Sequence, residues 1–214
     1  MGIRLRRGLL IASVAAIGGL LSVSAAALAQ DAEPRDGAIS CSSPVAPKDS
    51  AKSLTHRYGK DAVIAELPGA EGEKYKGVAL FPRARDQRIE ISFAGNAMNA
   101  VAGLSIRNAG KGSRWNIAGV SIGSRIEDVQ KANGRPFVVS GFGWDYGGFV
   151  TDWKGGALAS LQPGGCRIML RFDKEAGAPT SLLGDGVKIS SDSAALRKWG
   201  PVVSEMGVNF PSGR

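Results

Sequence analysis

The sequence predicts an α+β fold: two helix-plus-antiparallel-meander repeats forming one domain, with the helices packed on one side of the sheet. Three observations carry this expectation. Two short amphipathic helices each end at a glycine, Gly59 and Gly134, and a β-rich stretch follows each. Each stretch then reaches an R-I-x-(I/L)-x-F strand, Arg88-Ile89-x-Ile91-x-Phe93 and Arg167-Ile168-x-Leu170-x-Phe172; the glycines lie 75 residues apart and the strand motifs 79. The breaks between successive strands are short and glycine-rich, which favours hairpins over crossover connections.

At the N-terminus, Arg4, Arg6 and Arg7 form a basic flank before the apolar residues 8–27, and Ala27-Leu28-Ala29 places small side chains ahead of Gln30. That three-part pattern predicts a signal peptide over residues 1–29 and an exported chain, periplasmic or secreted and soluble after cleavage. A membrane anchor fits less well, because the segment is rich in Ala, Gly and Ser and ends in the polar run QDAEPRDG. The Arg6-Arg7 pair leaves the twin-arginine and general export routes both open. Cys41 lies too far beyond the apolar segment to serve as a lipid-attachment cysteine.

Cleavage would leave 185 residues, enough for one good core, and would lower the formal charge from +8 to +5. That charge is too modest for a dedicated nucleic-acid binder, and export argues the same way. The partner it allows is an envelope protein or an acidic envelope polymer. Cys41 and Cys166 are the two cysteines, and in an oxidising compartment they are expected to pair. A metal site would need more ligands than these and His56, the one histidine, supply. No cofactor is predicted.

Residues 30–48 read as an extended arm. In repeat 1, residues 49–95, Ser50 offers an N-cap, and Ala51, Leu54 and Tyr58 form the apolar face of a helix ended by Gly59. Lys48, Lys52, His56 and Lys60 make a basic stripe on its other face, expected to be solvated. Strands follow at 77–82 and 88–93 around the charged turn Arg83-Ala-Arg-Asp-Gln87. Residues 96–112 are read as a connecting seam. In repeat 2, residues 113–172, Ser124 and Glu127 form a predicted capping box for a helix whose apolar stripe is Ile126, Val129 and Ala132. Strands are expected at 137–140, 149–153, 157–161 and 166–172. A C-terminal extension, 173–214, ends in a strand in which Met206, Val208 and Phe210 alternate.

The stretch GFGWDYGGF, residues 141–149, raises the question of a glycine-rich ligand loop. A dinucleotide loop would need a third glycine where Tyr146 stands, no Lys-Ser or Lys-Thr follows, and the next element is a strand. The glycines instead suit a bend or bulge. By the two-residue period Trp144 and Tyr146 share a face, with Asp145 on the other. The candidate binding surface is therefore Trp144, Asp145, Tyr146, Phe149 and Trp153, with Arg83 and Arg85 orienting an acidic partner. The competing reading places these aromatics in the core.

Three runs carry a resemblance: Ile122-Gly-Ser-Arg-Ile-Glu-Asp-Val129, Asn133-Gly-Arg-Pro-Phe137 and Gly141-Phe-Gly-Trp-Asp-Tyr-Gly147. Together with Tyr58-Gly59, Glu71-Gly-Glu73 and Leu80-Phe-Pro82 they resemble a set of uncharacterised exported bacterial proteins and lipoproteins. More distantly, the G-x-S-x-x-(E/D)-V, helix, G-x-P arrangement is similar to repeats of β-lactamase inhibitor proteins and of the BamE/SmpA envelope domain. The resemblance implies helices laid on antiparallel sheet and a role in binding proteins, without catalysis and without site residues to carry over. Two other roles stay open. One is a hydrolase or carbohydrate-active enzyme using paired carboxylates, Asp145 with Asp152 or Glu71 with Glu73. The other is a structural envelope component with no discrete site.

Overall fold

The computed structural model describes Gly2 and residues 37–107, 112–160, 162–174 and 177–211. The predicted signal segment, apart from Gly2, and residues 30–36 of the arm lie outside the described residues.

The fold is α+β; the described residues form nine strands in two antiparallel sheets and three short α-helices. Helix α1, Ala51–Tyr58, starts at a reciprocal box: the Ser50 hydroxyl accepts from the Ser53 amide at 3.0 Å, and the Ser53 hydroxyl accepts from the Ser50 amide at 2.9 Å. Ala51 and Leu54 are buried, and Lys48, Lys52, His56 and Lys60 all face solvent. Strands β1, Ala62–Pro68, and β2, Lys74–Leu80, pair along their whole length. β1 escapes the alternation rule because Val63 and Ile64 are exposed while Ala62 and Leu67 are buried. β3, Ile89–Phe93, follows as predicted. β4, Val101–Arg107, falls inside the stretch read as a seam. Its Gly103 and Ser105 read as loop residues, yet the strand lies within the larger sheet, between β3 and a later strand.

Helix α2, Ile126–Asn133, begins one residue later than the predicted box allows. Ser124 turns back instead: its hydroxyl accepts from the Ser121 amide at 3.0 Å, and its carbonyl accepts from the Val203 amide at 2.9 Å. That bridge keeps the chain extended through Arg125, whose amide donates to the Asp128 carboxylate at 3.3 Å, so Asp128 takes the role assigned to Glu127. The C-terminal end is as expected, with Gly134 left-handed at φ 76°.

After α2 come β5, Val138–Ser140, β6, Val150–Asp152, and β7, Arg167–Asp173. Residues 157–160 are turns rather than the predicted strand, because Ala159 closes on Gly156 and Asn133 takes the Ala157 and Leu158 amides. Leu161 lies outside the described residues. The C-terminal extension holds more than its last strand: β8, Lys188–Ser190, and α3, Ala194–Trp199, precede β9, Val202–Asn209.

The larger sheet runs β1-β2-β3-β4-β9-β7 and the smaller β6-β5-β8. One row of the larger sheet, Val78, Ile91, Leu104, Val208 and Ile168, crosses five strands in register and is buried throughout. It joins Leu54, Trp115, Phe137 and Phe172 in a continuous core. The arm is part of that core. Ile39 and Val45 are buried, Ile39 hydrogen-bonds Asn116, and the disulfide between Cys41 and Cys166 ties the arm to the start of β7 with a Cα–Cα distance of 5.3 Å. Among the described residues no helix is long and apolar enough to cross a membrane.

Candidate functional site

The 141–149 stretch is a corner. Ser140 organises it: its hydroxyl donates to the Tyr146 carbonyl at 2.8 Å and accepts from the Phe149 amide at 3.1 Å. Gly147 closes on Trp144, and the Gly148 carbonyl accepts from the Phe172 amide, which joins the corner to β7. Gly148 sits at φ 79°, and a Cβ there would fall 2.1 Å from the Phe172 oxygen. Only glycine fits that approach.

The corner also presents a surface. Phe142 points inward, edge-on to Trp199 with ring centroids 4.7 Å apart. Trp144 is half-buried, pinned by its indole N–H on the Gly141 carbonyl at 2.9 Å. Tyr146, 48% exposed, leans on it at 5.5 Å. Trp144, Tyr146 and Phe149 line one cavity of about 330 Å³ with Ser140, Thr151 and Val187. On its other side Trp144 lines a second cavity of about 330 Å³ with Phe142, Arg171, Leu183 and Trp199. Both volumes suit a bound side chain or small ligand. The corner is thus a ridge with a pocket on each flank.

The other predicted residues separate from this ridge. Trp153 packs on Phe137 at 5.4 Å and lines neither cavity. Asp145 faces away from the two rings, and its carboxylate accepts the Glu71 amide of the β1–β2 turn at 3.0 Å. Arg83 and Arg85 lie in the β2–β3 turn, at the other end of β2 from that contact, about 20 Å away at the rise of a strand. The guanidinium beside the ridge is Arg171, which donates to the Gly147 carbonyl at 2.8 Å and lies 5.2 Å from the Phe149 ring centroid. Sequence reasoning missed it because the contact depends on the Phe149–Arg171 bridge between two strands. Of the four candidate catalytic carboxylates, Asp152 is held below the usual range by the Lys154 ammonium at 2.9 Å, and Glu71 and Glu73 are exposed residues of the β1–β2 turn.

No protein-family model, curated protein or solved structure matches the chain.

The larger sheet carries a second polar feature on the face opposite the core row. Glu90, Arg107 and Glu205 come from β3, β4 and β9 and meet there, with Glu90 and Glu205 buried. Burial lifts the Glu205 carboxyl above the usual carboxylate range; Arg107 and Arg171 oppose the shift and Glu90 adds to it. A raised carboxyl binds its proton more tightly folded than unfolded. The stability this confers is fully present below the ordinary carboxylate pKa and is lost as pH rises through the folded value. Glu205→Gln does not titrate, so its stability relative to the native chain is expected to increase as pH rises from about 4 to about 7. Urea melts across that interval check it; a constant difference would mean that folding does not raise the Glu205 carboxyl.

Proposed function

We propose that the chain is an exported, non-catalytic binding module, inhibitor-like in that it grips a protein partner through the Trp144–Tyr146 ridge. The observation that carries the reading is Trp144 standing between two cavities while Tyr146 remains exposed beside it. Trp and Tyr are the residues that most often anchor protein interfaces, because each buries a large rigid ring at low entropic cost. The Arg171 guanidinium adds a fixed positive group at the ridge base.

Two further features support the module reading. Strands β1 to β4 form a meander; in the second half β5 pairs with β6 and β7 with β9, and Phe149, just before β6, bridges to Arg171 of β7. The two R-I-x-(I/L)-x-F segments fall on the third strand of each half. This order supports a duplicated helix-and-meander unit of the kind found in sheet-based binding proteins. The signal-like N-terminus and the cystine support export.

The test is affinity capture from periplasmic extract with the native chain and with Tyr146→Ala and Trp144→Phe. Tyr146 is exposed, so its truncation is expected to change stability by no more than about 0.5 kcal/mol. As an interface anchor it is expected to weaken partner binding by about 2 kcal/mol, roughly thirtyfold. Recovery of the same partners in the same yield by both variants would sink the assignment.

A further inference from the structure

The larger sheet ends in two unlike edges. At β7 the edge is occupied in part: the Phe172 amide donates to the Gly148 carbonyl, and Arg171 bridges to Phe149. β1 is the opposite edge. It pairs with β2 over seven residues without a register shift and has no second neighbour among the described residues. The two ends of that pair fix its backbone directions: the Asp61 carbonyl accepts from the Phe81 amide, and the Gly69 amide donates to the Glu73 carbonyl. The odd-numbered residues between them therefore turn their peptide groups to β2, and Ala62, Ile64 and Glu66 turn theirs outward. The Ala62 amide already donates to the Gly59 carbonyl. Both peptide groups of Ile64, both of Glu66 and the Ala62 carbonyl are left on the open side.

The side chains of this edge are unusual too. Among the described residues four large apolar side chains are exposed; Tyr146 and Leu183 belong to the corner and its cavities, and the other two are Val63 and Ile64. Ile64 lies opposite Val78 and carries the buried row of the core face onto a sixth strand, yet it is 46% exposed. Val63, next to it, points to the other face and is 42% exposed. Edges of this length are ordinarily blunted by a bulge, a central lysine or a central proline. β1 has none of these in its middle, only Pro68 at its end.

We propose that β1 pairs antiparallel with β1 of a second copy of the chain, about a twofold axis through Ile64, so that the two larger sheets become one. In that register the two Ile64 residues exchange amide-to-carbonyl bonds, and each Glu66 amide reaches the Ala62 carbonyl of the other copy. Ile64 packs on Ile64 on one face and Val63 beside Ala65 on the other, which covers both exposed side chains. Glu66 then stands one diagonal step from Lys60 of the second copy, on each side of the axis. Sliding the strands by one pairing step in one direction would instead set the two Glu66 carboxylates diagonal to each other. Sliding them the other way draws on the Ala62 amide, already bonded, and on Lys60, which lies in a turn. One edge thus supplies both halves of a self-complementary contact. Pairing of this length buries less than the about 1,200 Å² of a standard interface, so the dimer is reversible and depends on concentration. β1 is distinct from the Trp144 ridge, and the fate of this proposal does not bear on that reading.

The test is sedimentation equilibrium of the mature chain from about 5 µM to about 500 µM, where a weak dimer of this kind is expected to form. Ile64→Lys is expected to remain monomeric throughout, with an unchanged circular dichroism spectrum. Glu66→Lys is expected to weaken dimerisation at least about fivefold, and adding Lys60→Glu to it is expected to restore the affinity. Ile64→Cys should join two copies by a cystine under mild oxidation, because residues facing each other in such a pair stand about 5.5 Å apart. Glu66→Cys should not, since its two copies would stand about 14 Å apart. If Ile64→Lys does not fold, the charge exchange and the two cysteine variants decide the matter. Hydrogen exchange reads the same edge: the Ile64 and Glu66 amides should slow as concentration rises. Their protection in a monomer would assign the edge to another segment of this chain and overturn the proposal. A native chain monomeric at the highest concentration, a dimer untouched by Ile64→Lys, a double variant as weak as Glu66→Lys, or Glu66→Cys cross-linking as readily as Ile64→Cys would overturn it equally.

Discussion

The double variant Cys41→Ala, Cys166→Ala is expected to melt about 10 °C or more below the native chain, and reductant is expected to lower the native midpoint by a similar amount. The cystine joins positions 125 residues apart. In the chain-entropy model, closing a loop of that length removes about 5 kcal/mol of disorder from the unfolded state, and native cystines commonly contribute about 2–5 kcal/mol. A domain of this size shifts about 2–4 °C per kcal/mol. The loss should be local as well as global. Beyond the cystine the arm is held by Ile39 and Val45 in the core, by its hydrogen bonds to Asn116, and by the Pro44 carbonyl, which accepts from Arg57 and Tyr58, so the stretch around Cys41, between these ties, is the part the bridge secures. Limited proteolysis should then cut near residues 38–48 before the rest of the domain. An unchanged midpoint, with or without reductant, would remove the cystine from any account of stability.

The cystine was legible because two cysteines behind a signal-like N-terminus leave one pairing. β3 and β7 were legible for a related reason: each alternates cleanly, with Ile89 and Ile91 or Ile168, Leu170 and Phe172 on a single buried face. β4 was hidden because its far face carries Gly103 and Ser105, small residues that look like loop until a partner strand is placed against them. The same ambiguity concealed the polar cluster on that face. Glu90 sits at a position that alternation assigns to solvent, and only the register of β3 with β4, and of β4 with β9, brings Arg107 and Glu205 to it. Within the 141–149 stretch, parity correctly put Trp144 and Tyr146 together and Asp145 apart. It had no means of choosing among arginines, because Arg171 reaches the ridge from 22 positions beyond Phe149 through a bridge between strands.

Asn133 is the last residue of α2, and its side chain braces the chain beyond it. It is 1% exposed. Its amide donates to the carbonyls of Arg135 and Trp153, both at 3.0 Å, and its oxygen accepts from the Leu158 amide at 3.2 Å. One side chain thus satisfies three backbone groups, two of them, on Trp153 and Leu158, in the segment that leaves β6, where residues 157–160 turn instead of extending. Asn133→Ala strands those groups and is expected to cost about 2–4 kcal/mol, read from urea unfolding. Gly156→Ala attacks the same bracket from the other side, since its Cβ would lie 2.2 Å from the Asn133 oxygen. Asn133→Asp separates hydrogen bonding from packing: the shape is kept, but a carboxylate would face two carbonyls in place of two N–H donors. If hydrogen bonding holds the turn, Asp should be at least as damaging as Ala at neutral pH and partly recover in acid, where the protonated carboxyl regains one donor. An aspartate variant as stable as the native chain at neutral pH would mean that shape alone matters at this position.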